Sequence, residues 1–185
     1  MTKAQLTVLA GPTAVGKGTV VAALTKHYPT LKVSVSATTR DPRPGELNGV
    51  HYYFVSPQEF DAMIERGDML EWALVHGKNK YGTPRGPVDE ALNAGHPVLL
   101  EIDLAGARQV RANRPDAQFI FLAPPSWEEL ERRLIGRDTE GPEEQARRLA
   151  TARVELQAAS EFDHVVINDD VERAVDELAR LIGLE

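Results

Sequence analysis

The sequence predicts an α/β fold in which five parallel strands are covered by helices on both faces, with two attachments interrupting the core. Three observations predict it. Short apolar runs at 5–10, 31–36, 98–103, 118–122 and 164–168 alternate with helical stretches, which is the signature of βαβ units. The first run ends in a glycine-rich turn that feeds straight into a helix. The rhythm then fails at two stretches punctuated by Gly and Pro, 37–86 and 135–148.

In chain order, 5–10 reads as a buried strand ending at Gly11, and 18–27 as a helix with Val20, Val21 and Leu24 on one face. Residues 31–36 alternate as a second strand. Apolar spacing near 3.6 residues gives helices at 104–113, 127–135, 143–159 and 171–182. Within 37–86, Pro42, Pro44, Gly45, Gly49, Gly77, Gly82 and Gly86 surround two aromatic, hairpin-like segments at 50–55 and 69–75. With one short helix at 57–66, this region reads as a small antiparallel insertion. The polar stretch 135–148, with Gly136, Gly141 and Pro142, reads as a mobile cap. The plan is one domain: a core of 1–35, 87–126 and 150–185, an insertion of about 36–86 and a lid of about 127–149.

Composition bounds the chemistry. At 185 residues, 42% hydrophobic and 26% charged, the chain can bury a core without staples. It has no cysteine, which excludes disulfides and thiolate metal sites. No apolar run approaches the ~20 residues needed to span a bilayer, and the start runs into a strand rather than a secretory signal. The expectation is a cytoplasmic protein. A net charge of −7 argues against nucleic acid as a partner. Arginines nevertheless gather in two short regions: Arg40 and Arg43, then Arg132, Arg133, Arg137, Arg147, Arg148 and Arg153. Local arginine on an acidic chain suits a pocket for a small polyanion.

The turn after the first strand reads Gly11-Pro12-Thr13-Ala14-Val15-Gly16-Lys17-Gly18-Thr19. Gly11, Gly16 and Lys17 fit a phosphate loop, whose backbone N–H groups wrap phosphate oxygens while the lysine reaches the terminal ones. The helix that follows adds unpaired N–H groups and a positive dipole end. Gly18 stands where such loops place a Ser or Thr to ligate Mg²⁺. The Gly-Lys-Gly-Thr ending resembles the loop of adenylate kinases, in which nucleotide oxygens and water hold most of the metal. The protein ligands of Mg²⁺ are therefore left open.

The insertion carries the more specific signal. It reads Ser36-Ala37-Thr38-Thr39-Arg40-Asp41-Pro42-Arg43-Pro44-Gly45-Glu46, then Gly49-Val50-His51-Tyr52-Tyr53-Phe54, Leu70-Glu71-Trp72-Ala73 and Tyr81-Gly82-Thr83. With Glu101-Ile102-Asp103-Leu104-Ala105-Gly106 and Val166-Ile167-Asn168-Asp169-Asp170, this order resembles guanylate kinase over nearly the whole chain. The resemblance implies a P-loop kinase three-layer fold, a GMP-binding insertion and a lid. By matching position, Arg40, Arg43, Tyr52 and Tyr81 are expected at the GMP phosphate, and Ser36, Glu71, Thr83 and Asp103 around the guanine. Glu101 and Gly106 are expected to complete that site. Arg133, Arg137 and Arg148 are expected at the ATP phosphates and Asn168 near the adenine.

The physics of these residue types agrees. Arginine offers a planar fork of donors matched to phosphate oxygens. Guanine presents an N1–H and an amino group side by side, so a carboxylate accepts from both; adenine lacks that pair. Leaving a buried carboxylate unpaired is costly, which makes Glu71 a means of rejecting the wrong purine. Glu101 and Asp103, two residues apart at a strand end, are expected on one face, either of them able to reach Mg²⁺ through water. Trp72 reads as core, and His51 and His76 as bystanders. Departures from the family pattern are Ala105, where glutamine is common, and Asp138, where glycine is common.

The implied reaction is ATP + GMP giving ADP + GDP, with Mg²⁺, ATP and GMP the only partners inferred. Lys17, Arg40, Arg43, Arg137 and Arg148 are the residues expected to neutralise and align the phosphates. Two other readings remain. One is a kinase for another small phosphate acceptor. The other is a phosphopeptide-binding module of the same fold, against which the retained Lys17 argues.

Overall fold

A computed structural model describes residues 3–136 and 141–185. The core is a five-stranded parallel sheet in the order β2-β7-β1-β8-β9. Its strands are β1 (Leu6–Ala10), β2 (Lys32–Val33), β7 (Val98–Glu101), β8 (Gln118–Ala123) and β9 (His164–Ile167). The helices between them are α1 (Lys17–His27), α3 (Arg85–Asn93), α4 (Leu104–Asn113), α5 (Trp127–Ile135), α6 (Pro142–Gln157) and α7 (Val171–Ile182). A 3₁₀ turn at Ala158–Glu161 follows α6.

Period-two alternation divides the strands between two cores. Leu9, Leu99, Ile120 and Leu122 point to one side and pack with Val20, Val21 and Leu24 of α1 and Val175, Leu178 and Ile182 of α7. Leu6, Val8, Val98, Leu100 and Phe119 point to the other and pack with Val88 of α3 and Ala107 and Val110 of α4. The sheet is thus buried on both faces, as an all-parallel sheet must be. Helix α7 is the most clearly delimited element: Asp170 caps its N-terminus by accepting from Arg173 N–H, and Gly183 ends it in the left-handed region.

The insertion forms its own four-stranded sheet, ordered β4-β3-β6-β5, from β3 (Ala37–Thr38), β4 (Tyr53–Phe54), β5 (Met69–Val75) and β6 (Asn79–Pro84). Helix α2 (Pro57–Glu65), capped by Ser56, covers it through Phe60. Trp72 stands edge-on to Phe60, 6.5 Å between ring centres, in the core reading expected of it. Two expectations are corrected here. The sheet is antiparallel across β3, β6 and β5, but β4 joins β3 in parallel, because 39–52 loops back before pairing. The segment 50–55 is therefore no hairpin. The second core strand is confined to Lys32–Val33, since the chain leaves the sheet to enter the insertion.

Helix α4 fastens the insertion to the core. The Gln109 side chain accepts from Trp72 N–H at 3.0 Å and donates to Trp72 C=O at 2.9 Å, and Asn113 donates to Leu70 C=O at 2.9 Å. These bonds occupy the edge of β5, a strand edge that would otherwise present unpaired backbone.

Candidate functional site

The phosphate loop sits at the carboxyl end of β1, the central strand, where open α/β sheets bind ligands. Gly11 packs so closely on β8 that a Cβ there would lie 2.4 Å from the Leu122 carbonyl oxygen. The loop's far side is held by the Val15 carbonyl, which accepts from Asn168 at 2.8 Å and from Arg133 at 3.1 Å. Asn168 is buried and Arg133 half-buried. Both residues, expected against ATP, bond the loop through this one carbonyl. The Val15 contact is invisible in sequence because 118 and 153 residues separate the partners.

Lys17 reaches across the loop mouth, its Nζ donating to Gly11 C=O at 3.0 Å and to Ile102 C=O at 3.5 Å. Burial lowers its pKa from the ordinary lysine value, and Glu101, Glu155 and Asp103 oppose that fall, in that order. Pro12, Thr13, Ala14, Gly16 and Thr19 complete the loop and the start of α1. A Cβ at Gly18 would meet only Glu101 Oε1, at 3.9 Å. This is room beside a carboxylate, suited to a hydrated cation. Among the described residues no group of three or more His, Cys, Asp or Glu is placed to grip a metal directly.

Glu101 and Asp103 do not share one strand face as expected. Glu101 ends β7, whereas Asp103 is the N-cap of α4, accepting from Gly106 N–H at 2.8 Å. That cap turns Asp103 toward the insertion. A Cβ on Gly106 would stand 3.1 Å from both Asp103 Oδ1 and Glu71 Oε2, so core and insertion carboxylates meet over this glycine. Glu71 and Thr83 are cross-strand partners on β5 and β6, and the buried Thr83 hydroxyl donates to Glu71 Oε1 at 2.8 Å. Burial raises the Glu71 pKa from its ordinary value; the Thr83 bond opposes the rise and Asp103 adds to it.

At the insertion's other end, Arg40 lies against the Tyr52 ring, 5.3 Å from its centre, and Tyr52 and Tyr81 stand 6.0 Å apart. Arg40 forks onto Glu46 with bonds of 2.9 and 3.0 Å, and Arg43 N–H donates to the same carboxylate at 2.7 Å. These bonds, the Arg40 guanidinium first, hold Glu46 at a pKa of about 2 and raise Arg40 above its ordinary value. Sequence reasoning gave Glu46 no role, although it closes the Arg40–Glu46 string. The carboxylate sits on Arg40 in the bidentate manner of a phosphate. Ser36 borders this sheet, its carbonyl accepting from Tyr53 N–H.

The region expected to form the lid, about 127–149, takes in α5 and the first half of α6. Arg137 and Asp138 lie outside the described residues. Arg148, Arg147, Glu144 and Thr151 of α6 face Thr13 across a cavity of about 250 Å³. Arg132 and Arg147 pair with Glu129 and Glu144 on their own helices, as solvated residues do, while Arg153 stacks on Trp127 at 4.0 Å. No described helix is long and apolar enough to cross a membrane.

Comparisons with known proteins converge. The guanylate kinase family model matches residues 3–185. A guanylate kinase of Leifsonia xyli is 61% identical over 177 residues, covering 96% of this chain and 70% of its own. One from Thermobifida fusca is 60% identical over 179 residues, covering 97% and 91%. The crystal structure of guanylate kinase from Anaplasma phagocytophilum superposes with a TM-score of 0.74 at 32% identity, covering 99% of this chain and 86% of that one. Shikimate kinase from Bacteroides thetaiotaomicron, at 13% identity and a TM-score of 0.51, shares the fold alone. The phosphate loop, the core sheet and the insertion are thus matched together, over nearly the whole length, and the chain belongs to the guanylate kinase family.

Proposed function

We propose that this chain transfers the γ-phosphoryl group of ATP to GMP, and to dGMP, giving ADP and GDP or dGDP. The observation that carries the reading is the half-buried Glu71 carboxylate, one oxygen bonded by Thr83 and the other directed at the Asp103–Gly106 turn. In water-poor surroundings such an acceptor demands donors. Guanine N1–H and its amino group supply two, side by side. The Ser36 hydroxyl serves the guanine carbonyl, joined by the Thr83 hydroxyl once guanine takes over the Glu71 oxygen that Thr83 now bonds, and Asp103 serves the remaining edge.

The GMP phosphate takes the place that Glu46 marks on Arg40, with Arg43, Tyr52 and Tyr81 around it. Gly11 through Thr19 wrap the ATP phosphates, Lys17 reaches the transferred group, and Arg137 and Arg148 approach it from the lid. Arg133 and Asn168, bonded to the loop at Val15, complete the ATP site, Arg133 at the phosphates and Asn168 near the adenine. A GMP phosphate oxygen, already anionic near neutral pH, attacks the γ-phosphorus in line. The bond to that oxygen forms as the bond to the ADP bridging oxygen breaks, and no general base is required. Positioning and charge neutralisation do the catalysis. Glu101 and Asp103, near Gly18, would hold the water shell of the Mg²⁺ that accompanies ATP, and the ion would supply positive charge toward the phosphates. The core (1–35, 87–126, 150–185), insertion (36–86) and lid (127–149) act as one enzyme that closes on its substrates, working in the cytoplasm.

Titration calorimetry tests the acceptor site without catalysis. GMP binds the wild-type chain and AMP does not compete. Arg40→Ala weakens GMP by about 10–100-fold, the worth of its charged hydrogen bonds. Equal binding of AMP, or unchanged GMP affinity in Arg40→Ala, contradicts the reading.

A further inference from the structure

Among the described residues the buried polar side chains are Thr7, Thr38, Thr83 and Asn168. Thr83 bonds Glu71 and Asn168 bonds the phosphate loop, so both belong to the site already described. Thr7 accepts from Gln118 at 3.4 Å in the core. Thr38 is the one near the site that the mechanism above does not use. It ends β3, and its hydroxyl oxygen accepts from the Arg40 backbone N–H at 3.1 Å. Valine has nearly the same shape, also suits a strand and takes no polar atom out of water. A hydroxyl at a fully buried strand position is therefore costly unless its bond is needed. That bond ends on the arginine assigned to the acceptor phosphate.

Arg40 is held in three ways. Its fork lies on Glu46, its guanidinium stands 5.3 Å from the Tyr52 ring centre and 6.0 Å from that of Phe54, and its backbone N–H lies on Thr38. A phosphate arriving on Arg40 takes over the Glu46 fork, so that hold is lost when the acceptor binds. The rings remain, but a ring attracts a cation over its whole face. The Thr38 bond is directional and survives the exchange. Thr39 steadies the same turn: its hydroxyl accepts from Lys80 N–H at 3.0 Å and donates to Asn79 at 3.3 Å, at the start of β6. Given the acceptor site proposed above, we infer that Thr38 is a positioning residue, whose hydroxyl fixes the Arg40 backbone so that the guanidinium keeps its place when the acceptor phosphate displaces Glu46. Its effect falls on acceptor affinity alone, since the phosphate loop is built on the other sheet.

Three variants test this. Thr38→Val removes the hydroxyl and keeps the shape. Thr38→Ser keeps the hydroxyl and loses the methyl. Thr7→Val removes a buried hydroxyl elsewhere and serves as the reference. With ATP and GMP, Thr38→Val raises KM for GMP by about 3–10-fold, the worth of one hydrogen bond, while kcat and KM for ATP stay within about twofold. Thr38→Ser and Thr7→Val hold KM for GMP within about twofold of wild type. Amide exchange resolved by NMR reads the bond itself. Arg40 N–H exchanges about tenfold faster or more in Thr38→Val, whereas Thr39 N–H, bonded to Lys80 C=O, keeps its wild-type rate. The inference is overturned if KM for GMP is unchanged in Thr38→Val, if KM for ATP rises with it, or if Thr38→Ser is impaired as strongly. Thr38→Ser remains decisive if Thr38→Val does not fold, because it loses packing but not the bond. The exchange measurement needs no acceptor. A wild-type chain that phosphorylates no GMP sinks the kinase reading, while an unchanged Arg40 exchange rate in Thr38→Val sinks this inference alone.

Discussion

At the scale of single residues, the proposed choice of acceptor rests on Glu71. Its carboxylate must be ionised to take both guanine donors, yet burial raises its pKa. Affinity for GMP is therefore full above the raised pKa and lost as pH falls through it, at a pH above that of an ordinary glutamate. Measured as KM for GMP against pH, that limb disappears in Glu71→Gln. The same substitution narrows the preference for GMP over AMP by about 10²-fold or more, because an amide cannot accept from both donors. Stability runs the other way. A glutamate whose folded pKa lies above its unfolded one contributes most below the unfolded pKa and loses that contribution as pH rises through the folded one. Glu71→Gln is accordingly expected to melt higher than wild type at pH 8, and a lower melting temperature there contradicts the burial argument.

At the scale of elements, the phosphate loop owes its shape to one glycine more than to the others. Gly11→Ala drives a Cβ to 2.4 Å from Leu122 O and should cost about 1–3 kcal/mol with loss of nucleotide binding. Gly18→Ala meets only Glu101 at 3.9 Å. Inside the first turn of α1 it should stabilise by about 0.4–1 kcal/mol. Thermal melting with and without ADP reads both, and an equal effect at the two glycines contradicts the packing argument. The elements that sequence located well are those with plain periodicity, such as α4, α5 and α7, whose bounds coincide with the expected ones. Helix α3 and strand β6 escaped because Pro84, Gly86 and Pro87 look like a turn, and Asn79, Lys80 and Gly82 lack a strand's apolar alternation. The parallel pairing of β4 depends on a 14-residue loop (39–52) whose path no local signal records. In the site, Arg40 and Glu71 were legible through their string. Glu46 and Gln109 were not, because each acts through a contact made only once the chain has folded.

At the scale of the molecule, the proposed acceptor site lies where the insertion meets the core, and helix α4 bonds the two together. Gln109 does this with two bonds to one backbone residue, Trp72, next to Glu71. Gln109→Ala leaves a strand-edge N–H and C=O without their partners, costing about 1–3 kcal/mol. It should raise KM for GMP while leaving KM for ATP unchanged, since the phosphate loop lies in the core. Equal changes in both constants would place the effect in the whole fold instead. The central claim is that this fixed pocket selects guanine. Its most direct measurement is kcat/KM of the wild-type chain with Mg-ATP against GMP, AMP, UMP and dTMP in turn, following ADP release. The account predicts that GMP leads AMP by about 10³-fold or more, the discrimination available when a site's polar groups would be left unpaired by the wrong base. Turnover of AMP or UMP equal to or better than that of GMP would contradict it.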